Sequence, residues 1–175
     1  MGERETLSYG ELDARANRLA HYLISRGADP GTTVALCLER GVEVVVALYA
    51  VAKAGAAYMP LGSELPDGRL AFMLGDTGPG LVLTADAGSR RIPDGPWETV
   101  SVSDDARWAA LPGTAPDVAA SPQALAYLLY SSIDRLPQGR RLPGGRGASR
   151  HLLVPEQIPL RARRLPAGRR VGGCP

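Results

Sequence analysis

Residues 33–61 read TVALCLERGVEVVVALYAVAKAGAAYMPL, and this stretch decides the fold. Its first run, Thr33–Leu38, shows no alternation of apolar and polar residues, which is typical of a strand covered on both faces. Val42–Ala54 is apolar nearly all round and too long for a strand, so it predicts a buried helix that ends before Gly55. Ala57–Met59 predicts a second strand. A strand, a helix and a strand in this order favour a parallel pair with a right-handed crossover.

The flanking sequence extends this pattern in both directions. Upstream, Ser8 and Glu11 have the spacing of a capping box, which predicts an amphipathic helix that Gly27 ends in the left-handed conformation. Downstream, the spacing of apolar residues and turn signals predicts a helix over 66–74 closed by Gly75, strands over 81–84 and 99–102, and a last element over 124–130. Alternating strands and helices predict an α/β fold, with a mostly parallel sheet and flanking helices.

Charge divides the chain into two parts. Residues 1–132 hold 10 basic and 16 acidic residues, a net charge of −6, whereas residues 133–175 hold 10 arginines, no lysine and 2 acids, a net charge of +8. The second part is rich in arginine, glycine and proline and has no periodicity, so we expect a disordered tail. Ten arginines predict weak, nonspecific binding of polyanions, and a dedicated nucleic-acid arm is the alternative interpretation.

Composition restricts the other classes of function. The chain has two cysteines, Cys37 and Cys174, which are too few for a disulfide framework, and no apolar run reaches the length of a membrane span. No apolar leader follows Met1, so we expect a cytoplasmic protein without membrane contact. His21 and His151 have no ligand or nucleophile at suitable spacing, and we predict no metal site and no catalytic residue.

Three ordered segments carry a family resemblance. They are LSYGEL at 7–12, AKAGAAYMPL at 52–61 with MLGDT at 73–77, and LAYLLYSS at 125–132. The segments resemble motifs of the amino-acid adenylation domains of nonribosomal peptide synthetases, members of the adenylate-forming acyl synthetase superfamily. Caps and turns explain the residue types of the first two segments, so we interpret those two as structural.

The resemblance implies a fold and an activity. Residues 5–132 would form part of the N-terminal subdomain of the adenylate-forming enzyme fold. The parent enzyme would use ATP and Mg²⁺ to convert an amino acid into an aminoacyl adenylate, and would load it on the phosphopantetheine of a carrier protein. Its partners would be the carrier protein and other synthetase domains.

The third segment departs from the family where the chemistry begins. In the family it continues as a glycine-rich loop that holds the ATP phosphates, but here Ile133 and Asp134 follow Ser132. A β-branched residue and an acid do not suit close approach to phosphate oxygens. Ser131 matches the hydroxyl residue of the motif, so Ser131 and Ser132 are the predicted remnant of the phosphate loop. We expect no nucleotide or other cofactor to bind tightly to this chain.

One hypothesis explains both the missing loop and the basic tail. The codons for residues 133–140, read one base later, can spell Ser-Thr-Gly-x-Pro-Lys-Gly, which is the loop of the family. We therefore expect residues 133–175 to be out-of-frame sequence, through either a sequencing error or a genuine frameshift. The chain would then be a truncated adenylation domain, inactive alone. The alternative is a noncatalytic docking module that binds a synthetase partner.

Overall fold

The computed structural model describes residues 6–62, 64–85, 92–119, 124–132 and 148–153. These residues form three α-helices and six strands, together with one short 3-10 turn. In chain order the elements are α1 (Tyr9–Ser25), β1 (Thr33–Cys37), α2 (Val42–Lys53), β2 (Ala57–Pro60), α3 (Asp67–Thr77), β3 (Leu81–Thr84), β4 (Glu98–Ser101), the 3-10 turn (Asp105–Arg107), β5 (Tyr127–Ser132) and β6 (Ala148–Leu153).

The strands form a single sheet in the order β4-β3-β1-β2-β5-β6. Neighbouring strands from β4 to β5 are parallel, and only β6 runs antiparallel, beside β5. The predicted α/β fold with a mostly parallel sheet is therefore confirmed.

The chain changes direction across the sheet at β1. The crossover through α2 leads from β1 to β2 on one side, and the crossover through α3 leads back past β1 to β3 on the other. Because such crossovers are right-handed, α2 and α3 lie on opposite faces of the sheet.

Two separate buried clusters fill these faces. On the α1 and α2 face, Leu19 and Val51 pack with alternate sheet residues such as Leu36. On the α3 face, Leu70 packs with the intervening residues such as Ala35. Adjacent residues of β1 thus point to opposite faces, and both faces are covered, which explains why its sequence shows no polar alternation.

The prediction for α2 is correct in its extent and wrong in its environment. The helix ends at Lys53, and Gly55 follows in the left-handed conformation, at φ +77°. However, its outer surface faces solvent, since Val45 is 38% and Tyr49 is 54% exposed. A largely apolar helix therefore covers the sheet with one side and leaves the other side uncovered among the described residues.

The prediction for α3 is wrong at its end. The helix continues through Gly75 to Thr77, and Gly78 provides the left-handed cap, with φ +60° and its amide donating to the carbonyl of Leu74 at 2.8 Å. A glycine inside a helix costs about 1 kcal/mol relative to alanine, which is too little to end a helix held by buried Leu70 and Leu74.

The tail is described only in part. Residues 148–153 form β6, a strand that the sequence pattern did not predict, and its backbone pairs with β5 along six residues. The other residues of the segment 133–175 lie outside the described residues, so the expected disorder stays a prediction.

Candidate functional site

The candidate site lies at the carboxyl edge of the parallel sheet, where open α/β folds bind their ligands. Strand β5 is the last of the parallel strands in chain order, and its final two residues are Ser131 and Ser132. The backbone of these two residues is paired with Ser149 and Ala148 of β6. The predicted remnant of the phosphate loop is therefore the end of β5, the parallel strand next to β6.

The residues after this strand do not fit a phosphate group. A phosphate loop joins a strand to a helix, because the amide groups of the loop and the helix N-terminus hold the anion together. In the sequence, Ile133 and Asp134 follow Ser132, and a β-branched side chain and a carboxylate do not suit close approach to phosphate oxygens. The residue types at these positions are therefore unsuited to holding the phosphates of ATP.

A cluster of hydrogen bonds on the α3 side of the sheet holds the end of β5. The hydroxyl of Tyr130 donates to Oδ2 of Asp76 at 2.6 Å, and it lies 2.7 Å from Oγ1 of Thr77. The Thr77 hydroxyl also lies 3.2 Å from Sδ of Met59, in β2. The cluster of Tyr130, Asp76, Thr77 and Met59, called here the tyrosine clamp, thus joins β5, the last turn of α3 and β2.

A second tyrosine contact holds the beginning of β5. The rings of Tyr58 and Tyr127 stack with centroids 5.5 Å apart and planes at 23°. Burial raises the pKa of Tyr58 above its ordinary value, and Tyr127 raises it further. These same two residues are the single pair in the register between β2 and β5. Ring stacking therefore supplements a short backbone ladder between these two strands.

The lysine of the second motif has a structural role. Lys53 Nζ lies 2.9 Å from Oδ1 of Asp13, so it ties the end of α2 to α1. Asn17, which is 1% exposed, donates from Nδ2 to the other oxygen of Asp13 at 3.1 Å and to the carbonyl of Gly113 at 2.7 Å. This chain of contacts fastens the segment after β4 to the first helix.

The first motif forms the capping box that its spacing predicts. Ser8 Oγ accepts from the amide of Glu11 at 3.3 Å, and Glu11 Oε2 accepts from the amide of Ser8 at 2.8 Å and from its hydroxyl at 2.7 Å. These hydrogen bonds lower the pKa of Glu11 below its ordinary value, the side-chain bond most. Both early motifs thus hold helices in place.

A cavity lies away from the end of β5, beside the first helix. It measures about 510 Å³ and lies between the first turns of α1 and Trp108, with no lining residue from β5. His21 is not among the residues that line this cavity, and its Nε2 lies 3.0 Å from the carbonyl oxygen of Thr114. In the part of the chain that the structure describes, no group of three His, Cys, Asp or Glu side chains has the arrangement of a metal site, and no helix is long and apolar enough to cross a membrane.

Sequence reasoning missed the tyrosine clamp, although its residues were in view. Asp76 and Thr77 end the second motif, and Tyr130 is in the third. Each residue fits its own motif, and nothing in the sequence indicates that Thr77 and Tyr130, 53 positions apart, are in contact. The useful signal was a polar pair, Asp76 and Thr77, shortly after the apolar run Leu70–Leu74 of the same helix.

Comparison with protein families gives one match over most of the chain. The model of a family described as "AMP-binding enzyme" matches residues 1–132. That match includes the whole parallel part of the sheet and ends at the last residue of β5.

Individual relatives also match most of the chain. The chain is 41% identical over 153 residues to a dimodular nonribosomal peptide synthase of Bacillus subtilis, covering 81% of this chain and 6% of the relative. It is 44% identical over 150 residues to novobiocin biosynthesis protein H of Streptomyces niveus, covering 80% of this chain and 25% of the relative. A crystal structure of the nonribosomal peptide synthetase FmoA3 bound to α-methyl-L-serine-AMP superposes with a TM-score of 0.65 at 31% identity, covering 71% of this chain and 14% of that one. The chain therefore spans a quarter or less of these proteins.

Proposed function

The chain belongs to the AMP-binding enzyme family, and we propose that it is the N-terminal part of an amino-acid-adenylating domain of nonribosomal peptide synthesis. The intact domain would convert an amino acid and ATP into an aminoacyl adenylate, releasing pyrophosphate, and pass the aminoacyl group to the phosphopantetheine thiol of a carrier protein. The observation that carries this proposal is the parallel sheet ending in β5, with all three family motifs on its strands or on the helices that flank it.

We further propose that the chain as written does not perform this reaction. Stabilising the charge of a transferring phosphate requires preorganised donors around its oxygens. After Ser132 the sequence supplies a β-branched residue and a carboxylate instead, and a carboxylate repels the polyphosphate. Ser131 is the position that corresponds to a phosphate contact in the family. The residues that follow it here are not the glycines that would let the anion approach.

The out-of-frame origin of residues 133–175 belongs to the same proposal. Three observations support it: the family match ends at residue 132, the net charge changes sign after it, and the ten basic residues of the segment are all arginine. Without residues 133–175, the chain would end at β5, after which the family has its phosphate loop.

Sequencing the gene across the codons for residues 130–140 and about a kilobase beyond tests the origin of the tail. We expect one added or missing base beside the Ser132 codon, followed by a frame that carries the remaining family motifs. An unchanged frame would refute the out-of-frame origin and leave the family assignment standing.

Exchange of labelled pyrophosphate into ATP tests the activity. We expect the 175-residue chain to show the same exchange with and without a mixture of amino acids. The protein translated from the corrected frame should show amino-acid-dependent exchange, and the reaction without amino acids is its control. Amino-acid-dependent exchange by the 175-residue chain would contradict the proposed inactivity, whereas a stoichiometric complex of the inactive chain with a synthetase would favour the docking module.

A further inference from the structure

We propose that the outer side of α2 is an internal packing surface of the intact adenylating domain, covered by the part of the domain that follows position 132 in the family. The surface, called here the α2 stripe, consists of the exposed residues Val45, Tyr49 and Ala52. This inference rests on the proposed function, because only an intact domain of that family would contain the covering part.

The α2 stripe is continuous and carries no charge. Positions 45, 49 and 52 are four and three residues apart, so they lie on one face of the helix. Val45 is 38% and Tyr49 is 54% exposed, and Ala52 is exposed as well. The charged residues of α2, Glu43 and Lys53, lie in its first and last turns. Between them, two turns of apolar helix face water.

The neighbouring helix has a different outer side. Helix α1 packs against α2, and after Tyr9 and Gly10 in its first turn its exposed residues are Glu11, Asp13 and Ser25. Surface helices are typically polar on their outer side, whereas a helix that is apolar all round is buried in a larger core. The α2 stripe therefore has the composition of an interior surface, although no described residue covers it.

The size of the α2 stripe favours a covering segment in the same polypeptide. Stable complexes between separate proteins bury about 800 Å² on each partner, from about 20–30 residues. The α2 stripe offers three residues over two helical turns, so two copies that met through it would gain little apolar contact. A segment joined through the backbone packs in an intramolecular step at high effective concentration, and a small contact is then sufficient.

Residues 133–175 are poorly suited to cover the stripe. They contain ten arginines and two acids, a net charge of +8, and guanidinium groups lose hydration against an apolar surface. The matched relatives are far longer, since the chain spans 25% of novobiocin biosynthesis protein H and 14% of the FmoA3 chain. The intact domain would therefore have further sequence from which an apolar layer can pack on α2.

Radical labelling of tyrosine side chains tests the proposal without any nucleotide. In the 175-residue chain, Tyr49 should be labelled less than Tyr9, which is 91% exposed, and more than Tyr22, which is 9% exposed. In the protein translated from the corrected frame, called here the long protein, labelling of Tyr49 should fall to that of Tyr22. If the gene keeps its frame, a chimera serves as the long protein, with residues 1–132 in place of the matching segment of novobiocin biosynthesis protein H.

Substitution of Tyr49 gives a second readout. In the 175-residue chain, the ammonium group of Tyr49→Lys stays in water, so the thermal midpoint should move by less than about 2 °C. In the long protein this charge would be enclosed without a partner, and the midpoint should fall by roughly 5 °C or more. Tyr49→Phe is the matched control, because it keeps an apolar ring at the same position, and it should lower the midpoint of the long protein by less than half as much.

The outcomes separate this packing from its alternatives. A long protein that folds with phenylalanine at position 49 and fails to fold with lysine supports the proposal. The proposal is overturned if Tyr49 is labelled equally in the short and long proteins, or if Tyr49→Lys has the same effect in both. A dimer of the 175-residue chain in which Tyr49 is protected would assign the stripe to a second copy and also overturn it. No readout depends on ATP, so protection of Tyr49 in a long protein without amino-acid-dependent exchange would uphold the packing and refute adenylation alone.

Discussion

Asn17 gives the sharpest test of how the first helix is held. Its side chain is 1% exposed, and its amide nitrogen is the donor to two oxygens, the carbonyl of Gly113 and the carboxylate of Asp13. Asn17→Asp keeps the size of the side chain and replaces this donor with an acceptor. An ionised carboxylate would then face two oxygens at about the present distances, one of them charged.

The expected loss of folding stability follows from these contacts. Asn17→Ala removes both hydrogen bonds and leaves the partly buried carbonyl of Gly113 without this partner, which costs about 1–3 kcal/mol. Asn17→Asp should cost about 3–5 kcal/mol at pH 7, as for an uncompensated buried charge. The introduced carboxyl should have a raised pKa in the folded state. Its penalty is therefore absent below the ordinary carboxyl pKa of about 4 and grows as the pH rises towards the folded value.

Urea unfolding at pH 7 and pH 5 measures both effects. The fluorescence of Trp108 reports the transition, since this side chain is 3% exposed and contacts Tyr22 with ring centroids 5.6 Å apart. We expect the stability gap between Asn17→Ala and Asn17→Asp to narrow at the lower pH. Asp13→Ala is the control and should cost within about 1 kcal/mol, because that side chain is 61% exposed. A gap that does not depend on pH, or an Asp variant as stable as the parent, would falsify this account.

Two further substitutions test local geometry. Ser8→Ala should destabilise the protein by about 1 kcal/mol in urea unfolding. Because Glu11 has a lowered pKa, its contribution to stability is present above the ordinary carboxyl pKa and is lost as the pH falls. The variant should therefore show a weaker dependence of stability on pH in this range. A stability curve against pH that is unchanged by the substitution would contradict the capping role. Gly55→Ala should cost more than Gly27→Ala, because both residues have positive φ but only at Gly55 would the added Cβ lie 2.9 Å from Val118. We expect a loss of stability of about 1 kcal/mol at Gly27 and a larger loss at Gly55. Equal losses would show that Val118 moves aside to accommodate the added Cβ.

The sequence predicted the elements whose cause is local. The spacing of Ser8 and Glu11 predicts a capping box, and the structure has that box with both reciprocal bonds. The apolar run over Leu81–Thr84 has the same bounds as β3. In these cases the residues that determine the structure are neighbours in the chain, so a pattern within a few residues contains the information.

The features that the sequence did not predict depend on distant partners. Gly75 reads as a helix end, but α3 continues because its buried residues find a sheet that the local sequence does not specify. The exposed side of α2 is as apolar as that of a buried helix. Its exposure is evident only from the structure, in which no described element packs on that side. The tyrosine clamp is of the same kind, since the contact between Tyr130 and Asp76 exists only once β5 has taken its place beside β2.

The position of β5 also has a consequence for the order of folding. Strands β1 and β2 pair residues 24 positions apart, as in Thr33↔Ala57, whereas β2 and β5 join Tyr58 to Tyr127 across 69 positions. Closing a longer loop costs more chain entropy, and contacts between distant residues form slowly. During synthesis, β1 to β3 can therefore assemble before β5 has left the ribosome. The strand that ends at the predicted remnant of the phosphate loop would then be added to a sheet that is already built.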